Sequence, residues 1–191
     1  MKLVIIDYGA GNTKSVKFAF QRLGVFPVLS SNKEEILSAD KVIFPGVGHA
    51  KAAMDVLKEK ELDTLIPQLK QPVLGICLGM QLMCKNSEEG NVPCLGIFDE
   101  TVKIFEPKDK VPHVGWNTTT GNWSLANGNN AWFYFVHSYY VPANKFTTLT
   151  CNYITPFSAA IQKDNFYAVQ FHPEKSGKDG EQLLKYFMET T

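Results

Sequence analysis

The chain has 191 residues with 45% hydrophobic and 20% charged content and a formal net charge of zero, values of an ordinary globular protein. Arg22 is the only arginine, so the side chain best suited to forked phosphate and guanine contacts is nearly absent and a nucleic-acid partner is not expected. The apolar runs are too short to span a bilayer, and Met1-Lys2 passes directly into a strand-like segment without a signal peptide, which predicts one cytoplasmic domain over residues 1–191 and no membrane partner. The four cysteines, Cys77, Cys84, Cys94 and Cys151, have neither zinc-ribbon nor disulfide-framework spacing, so reduced thiols and no metal or cofactor are expected.

Residues 2–7, with the apolar run Leu3-Val4-Ile5-Ile6 at their centre, are predicted as a buried strand. Asp7-Tyr8-Gly9-Ala10-Gly11-Asn12 follows as a loop before an amphipathic helix carrying Val16, Phe18, Ala19, Phe20 and Leu23 and closed by Gly24. The Gly-x-Gly here lacks the third glycine and the distal acid of a dinucleotide fingerprint. A second strand is predicted over 25–29, a capped helix start over 31–35 and a third strand over 41–44. Pro45-Gly46-Val47-Gly48 ends that strand in a turn with free backbone N–H groups. A helix through Ala52, Met54, Val56 and Leu57 leads to Leu65-Ile66, and Pro67 and Pro72 bracket the approach to the next strand.

That strand, Val73-Leu74-Gly75-Ile76, runs into Cys77-Leu78-Gly79-Met80-Gln81. A short apolar strand passing through Gly-x-Cys-x-Gly into a helix has the form of a nucleophile elbow. The glycines relieve crowding at the sharp turn, and a helix N-terminus favours a thiolate. A buried structural cysteine would give the same local pattern.

Beyond Glu88-Glu89-Gly90 the pattern changes to short strands with turn-rich breaks, over 102–105, 111–117, 132–136, 148–153, 159–162 and 166–171, with a polar loop over 118–130 and a closing helix over 181–188. The expected architecture is α/β: a mostly parallel central sheet flanked by helices, with added antiparallel strands.

His172-Pro173-Glu174 stands at the end of the last predicted strand. A cysteine nucleophile needs an imidazole to move its proton and a carboxylate to orient that imidazole. Histidine and glutamate two apart, held extended by the proline, are expected to point the same way. Elbow, turn and His-Pro-Glu together point to Cys77, His172 and Glu174 as a catalytic triad.

These segments resemble the class I, triad-type glutamine amidotransferases, which have a flavodoxin-like fold. Asp7-Tyr8-Gly9-Ala10-Gly11-Asn12, Pro45-Gly46-Val47-Gly48, Pro112-His113-Val114-Gly115-Trp116-Asn117, Phe133-Tyr134-Phe135-Val136-His137-Ser138-Tyr139 and Gln170-Phe171-His172-Pro173-Glu174-Lys175-Ser176 resemble, within them, the glutaminase-subunit family of imidazole glycerol phosphate synthases. Val114 stands where that family suggests methionine, and Cys84-Lys85-Asn86 is less acidic than expected. The resemblance implies L-glutamine as substrate, ammonia passed to a separate (β/α)₈-barrel cyclase subunit in a heterodimer, and a place in histidine biosynthesis. It implies oxyanion donors at Leu78 and at Val47 or Gly48, substrate contacts at Gly46, Gly79, Gln81, Glu89 and Ser138, and docking residues among Asn12, Trp116, Tyr134, His137 and Lys175. A glutaminase serving another synthase, as in pyridoxal phosphate synthesis, or an inactive binding module on the same fold are the alternatives.

Overall fold

The computed structural model describes residues 1–9, 11–126 and 131–189. The chain opens with β1 (Leu3–Ile6), α1 (Thr13–Arg22), β2 (Val28–Ser30), α2 (Lys33–Leu37), β3 (Lys41–Gly46), α3 (Ala50–Glu59) and α4 (Leu62–Leu65). Next come β4 (Val73–Cys77), α5 (Leu78–Leu82), β5 (Cys84–Ser87), β6 (Val92–Pro93), β7 (Phe98–Ile104), β8 (His113–Gly121) and β9 (Ala131–His137). The last elements are β10 (Tyr139–Tyr140), β11 (Thr147–Asn152), β12 (Pro156–Lys163), β13 (Phe166–Val169) and α6 (Gly177–Glu189).

A nine-stranded sheet has the order β2-β1-β3-β4-β13-β12-β11-β8-β9. Strands from β2 to β13 pair in parallel, and from β13 onward the pairings are antiparallel. β1, β4 and β13 are buried at every position, as strands covered on both faces must be. Alternate residues serve opposite sides of the sheet: Val4 and Ile6 join one core with Met54 and Leu57 of α3, Leu3 and Ile5 the other with Phe20 of α1 and Phe187 of α6. The buried face of α1 is Thr13, Val16, Ala19 and Phe20, at helical spacing, while Phe18 faces outward. Among the described residues no helix is long and apolar enough to cross a membrane.

Several elements depart from the sequence expectation. The second strand is Val28–Ser30 rather than 25–29, because Val25 follows directly on the turn that closes α1. The polar segment 118–121 extends β8 instead of forming a loop: its backbone pairs with β9 and β11, and a ladder needs only N–H and C=O groups. Residues 127–130 of that expected loop, like Ala10 in the first loop, lie outside the described residues. A second, four-stranded sheet, β10-β7-β5-β6, was not foreseen. It begins because α5 stops after five residues and the chain turns at Met83 into β5.

Candidate active site

The parallel pairing of β4 with β13 brings the site together. Their register ends with Val169 opposite Ile76, so Cys77 and the residues after β13 emerge side by side at one edge of the sheet. On the other flank of β4, Gly46 pairs with Cys77, which sets the turn at residues 46–48 beside the sulfur. This is the crevice at the carboxyl ends of parallel strands where ligands bind in open α/β sheets.

Cys77 has φ 54° and ψ −110°, a conformation that a side-chain-bearing residue adopts only when its surroundings enforce it. The enforcement comes from close packing at the elbow. A Cβ on Gly79 would stand 1.9 Å from the Phe44 carbonyl oxygen, and one on Gly46 would be 2.9 Å from the Gly79 nitrogen, Leu78 Cβ and the Tyr8 hydroxyl. That hydroxyl is buried, and burial followed by the charge of Cys77 raises its pKa.

His172 is extended at φ −102°, and residues 173–175 then form a 3₁₀ turn. The sequence expectation that proline would keep this segment extended is therefore corrected at Glu174: the tight turn, not an extended run, swings the carboxylate back. Glu174 Oε1 lies 2.9 Å from His172 Nδ1, with the two side chains 1% and 6% exposed. Burial pulls the imidazole pKa down, but hydrogen bonds to Cys77 and Glu174 and the charges of both outweigh it, holding His172 at about 10. The turn is tied to β9: the His172 N–H donates to the Tyr134 carbonyl at 2.9 Å, the Tyr134 N–H to Ser176 Oγ at 3.0 Å, and Ser176 Oγ–H to the His172 carbonyl at 2.6 Å.

A cavity of about 350 Å³ opens over the sulfur, a size suited to a free amino acid. Cys77, Leu78, His172, Val47, Gly48, Gln81, Glu89, Ser138 and Lys175 all line it. The Leu78 N–H is the first of α5 and has no partner within the helix. Glu89 Oε2 accepts the Ala50 N–H at 2.7 Å, which fixes that carboxylate at the start of α3. Glu174 touches the cavity only through His172.

Gly46 and Gly79, expected as substrate contacts, are not in this lining; their lack of a side chain serves the packing of β3 against α5. His137, expected on a docking face, is 6% exposed and lies among Phe105, Phe135 and Phe157, so it belongs to the interior and to the cavity wall. Trp116 is 51% exposed, and Tyr134, its cross-strand partner, is half-buried. Asn12 stands at the N-cap of α1 without a side-chain cap bond.

Sequence reasoning missed two features here. His113 Nδ1 lies 3.0 Å from His137 Nε2, and burial lowers these imidazoles to about 4 and about 3, so both are neutral. The His137 Nδ1 is 2.8 Å from the Tyr139 carbonyl, which fixes Nδ1–H on His137 and makes its Nε2 the acceptor for His113. Gln170 is the other: fully buried, it reaches Cys77 Sγ with Nε2 at 3.8 Å. Its place immediately before Phe171-His172 was the available signal. Among the described residues no group of three or more His, Cys, Asp or Glu could hold a metal ion.

The family described as Glutamine amidotransferase class-I matches residues 4–190. The chain is 58% identical over 195 residues to the imidazole glycerol phosphate synthase subunit HisH of Bacteroides fragilis (strain YCH46), covering 99% of this chain and 100% of that protein. It is 53% identical over 196 residues to the subunit of the same name from Escherichia coli (strain K12), again covering 99% and 100%. Among solved structures, one described as a glutamine amidotransferase superposes with a TM-score of 0.77 at 18% identity, covering 97% of both chains. The PurLQS structure from Thermotoga maritima gives 0.74 at 14% identity, covering 98% of this chain and 97% of that one. At those identities the superpositions speak for the fold alone.

Proposed function

The chain belongs to the class-I glutamine amidotransferase family, and on that premise we propose that Cys77 is its nucleophile, His172 its acid and base, and Glu174 the carboxylate that orients His172. It is the glutaminase subunit of an imidazole glycerol phosphate synthase and works in histidine biosynthesis. We take residues 1–191 as one such glutaminase domain.

The observation that carries the triad is the convergence in one cavity of the strained Cys77 at the end of β4 and His172 beyond β13, with the buried Glu174 behind the imidazole. The Cys77 thiolate attacks the glutamine carboxamide carbon, and the carbonyl pair moves onto oxygen. The tetrahedral intermediate collapses with cleavage of the C–N bond, and ammonia leaves with a proton from His172. His172 then takes a proton from water, which attacks the thioester; the C–S bond breaks, glutamate leaves and the electron pair returns to sulfur. The oxyanion is met by the Leu78 N–H and by an N–H of Val47 or Gly48.

The amino-acid end of glutamine is held by Gln81 and Glu89. Gln81 spends both amide hydrogens inside the protein, on the Tyr139 carbonyl and on Gln170 Oε1, each at 2.9 Å. It therefore offers the substrate only its oxygen, an acceptor suited to an α-ammonium group, as is the Glu89 carboxylate. Ser138 completes that wall.

Ammonia released into water would be lost, so the glutaminase works against a cyclase subunit, which by family resemblance is a (β/α)₈ barrel paired with it as a heterodimer. The outer face of β8–β9 supports this docking surface. Val114 faces Val136, Trp116 faces Tyr134 and Thr118 faces Trp132 across the ladder, and all four tryptophan and valine side chains are exposed. Val136 also lines the cavity, so this apolar strip runs up to the rim. Lys175 on the same rim and Asn12 are the accompanying polar contacts. An electrophilic diazoketone analogue of glutamine should label Cys77 alone, and glutamate release should rise when the cyclase subunit and its nucleotide ligand are added; labelling elsewhere, or full turnover by the isolated subunit, would contradict this reading.

A further inference from the structure

The triad leaves part of the environment of Cys77 Sγ unused. Gln170 Nε2 is 3.8 Å from the sulfur, and the Val136 carbonyl oxygen is 3.9 Å from it. The two neighbours favour different states: a carbonyl oxygen can only accept from a thiol S–H, whereas an amide N–H can donate to a thiolate.

A carboxamide can present either its oxygen or its nitrogen, and the difference decides its effect on a thiolate. Here a chain of hydrogen bonds makes the choice. Gln170 Oε1 accepts from Gln81 Nε2 at 2.9 Å, which leaves the Gln170 nitrogen toward the sulfur. Turning Gln170 over would set its NH₂ against the NH₂ of Gln81. Gln81 in turn is held by the Tyr139 carbonyl at 2.9 Å, and that carbonyl also takes the Nδ1–H of His137 at 2.8 Å. Turning Gln81 over would set its oxygen against two acceptors. The backbone of Gln170 is fixed as well, its N–H donating to the Ala159 carbonyl at 2.9 Å. Gln170 is 0% exposed and Gln81 4%, so water cannot easily replace any of these partners.

We propose that Gln170 is a further catalytic residue whose Nε2–H donates to the Cys77 thiolate, and that Gln81 is a positioning residue that fixes which edge of the Gln170 amide meets the sulfur. This rests on Cys77 being the nucleophile. Gln170 then acts at two moments: it holds the thiolate before attack, and it stabilises the thiolate that re-forms when the electron pair returns to sulfur as the thioester is hydrolysed. Its donor is lost in neither step, because the Gln81 clamp does not depend on substrate.

The test is the rate of Cys77 alkylation by iodoacetamide as a function of pH in the full chain, followed by mass spectrometry of the Cys77 peptide. Gln170→Leu should move the profile to higher pH by about one unit, a loss of roughly tenfold in rate on its rising limb. Gln81→Leu should shift it in the same direction by less. A merely structural role would lower thermal stability without displacing the profile, so an unchanged profile in folded Gln170→Leu would overturn the proposal. Should that variant not fold, the unsubstituted chain decides: the side-chain NH₂ resonances of Gln170 should move over the pH range in which alkylation rises and stay still in Cys77→Ala, and resonances that do not respond would overturn it. Glutaminase activity surviving in Cys77→Ala would instead defeat the triad and leave the alkylation comparison standing.

Discussion

Gly46 and Cys77 face each other as the last residue pair of the β3–β4 ladder. That pairing sets both candidate oxyanion donors, from the 46–48 turn and from Leu78, on either side of one sulfur. It also explains why the elbow tolerates no bulk. Each glycine sits where two backbones approach, and the strained Cys77 conformation is held by strand–helix packing.

Gly79→Ala follows directly. Its Cβ would lie 1.9 Å from the Phe44 carbonyl oxygen, a backbone atom that cannot step aside. A cost of at least about 2 kcal/mol is expected, with a thermal midpoint lower by several degrees and glutaminase activity reduced with it. Differential scanning calorimetry on the purified chain checks this, and an unchanged midpoint would show that β3 and α5 are less tightly seated than described.

Glu174→Gln tests the orienting carboxylate. The substitution removes the charge that helps hold the His172 imidazolium and allows an NH₂ to face Nδ1, so the wrong tautomer becomes accessible. A kcat loss on the order of a hundredfold to ten-thousandfold is expected with little change in KM, because Glu174 does not line the cavity. A KM effect alone would place Glu174 in binding.

The neutral His113–His137 pair predicts an acid-sensitive fold. Both folded values, about 4 and about 3, lie below the ordinary histidine value near 6.5. In the interval between, the unfolded chain binds protons that the folded chain does not, so the contribution of this pair is full above about 6.5 and declines as pH falls toward 4. Urea unfolding at pH 7 and pH 5 should show this decline in the parent chain and a smaller one in His113→Gln/His137→Gln. Equal declines would assign the acid sensitivity to other groups.

Trp116→Ala addresses the docking face. Trp116 is half exposed beside Tyr134, and Tyr134 carries the backbone hydrogen bond to His172. Buried aromatic anchors typically contribute 2 kcal/mol or more to an interface, so binding of the cyclase subunit should weaken by roughly thirtyfold or more. The thermal stability of the isolated chain should change little. Calorimetric titration provides the measurement, and unchanged affinity would move the interface elsewhere.

Much of this was legible because certain residues have few alternative uses. The run from Val73 to Cys77, then Gly79, required a buried strand entering a tight turn, and His172-Pro173-Glu174 required a strand end. The parallel β-α-β opening followed from apolar runs separated by amphipathic segments. What escaped was structure without periodicity or with polar composition. β5, β6 and the first half of β7 form from short mixed segments with no clear alternation, and the threonines of 118–120 extend a strand that their polarity disguises. His137 looked like a surface residue because a histidine in sequence does not announce a histidine partner, here His113 from the adjacent strand. Gln170 and Gln81 stand 89 positions apart, and only the parallel register of β4 and β13 makes them a pair.

Glutamate release by the subunit assembled with its cyclase partner and nucleotide substrate, compared between the parent chain and Cys77→Ala, tests the central claim most directly. The variant should lose more than about ten-thousandfold in glutamate release while the assembled enzyme still forms product from added ammonium. Glutamate release at the parental rate by Cys77→Ala would contradict the assignment of Cys77 as the nucleophile.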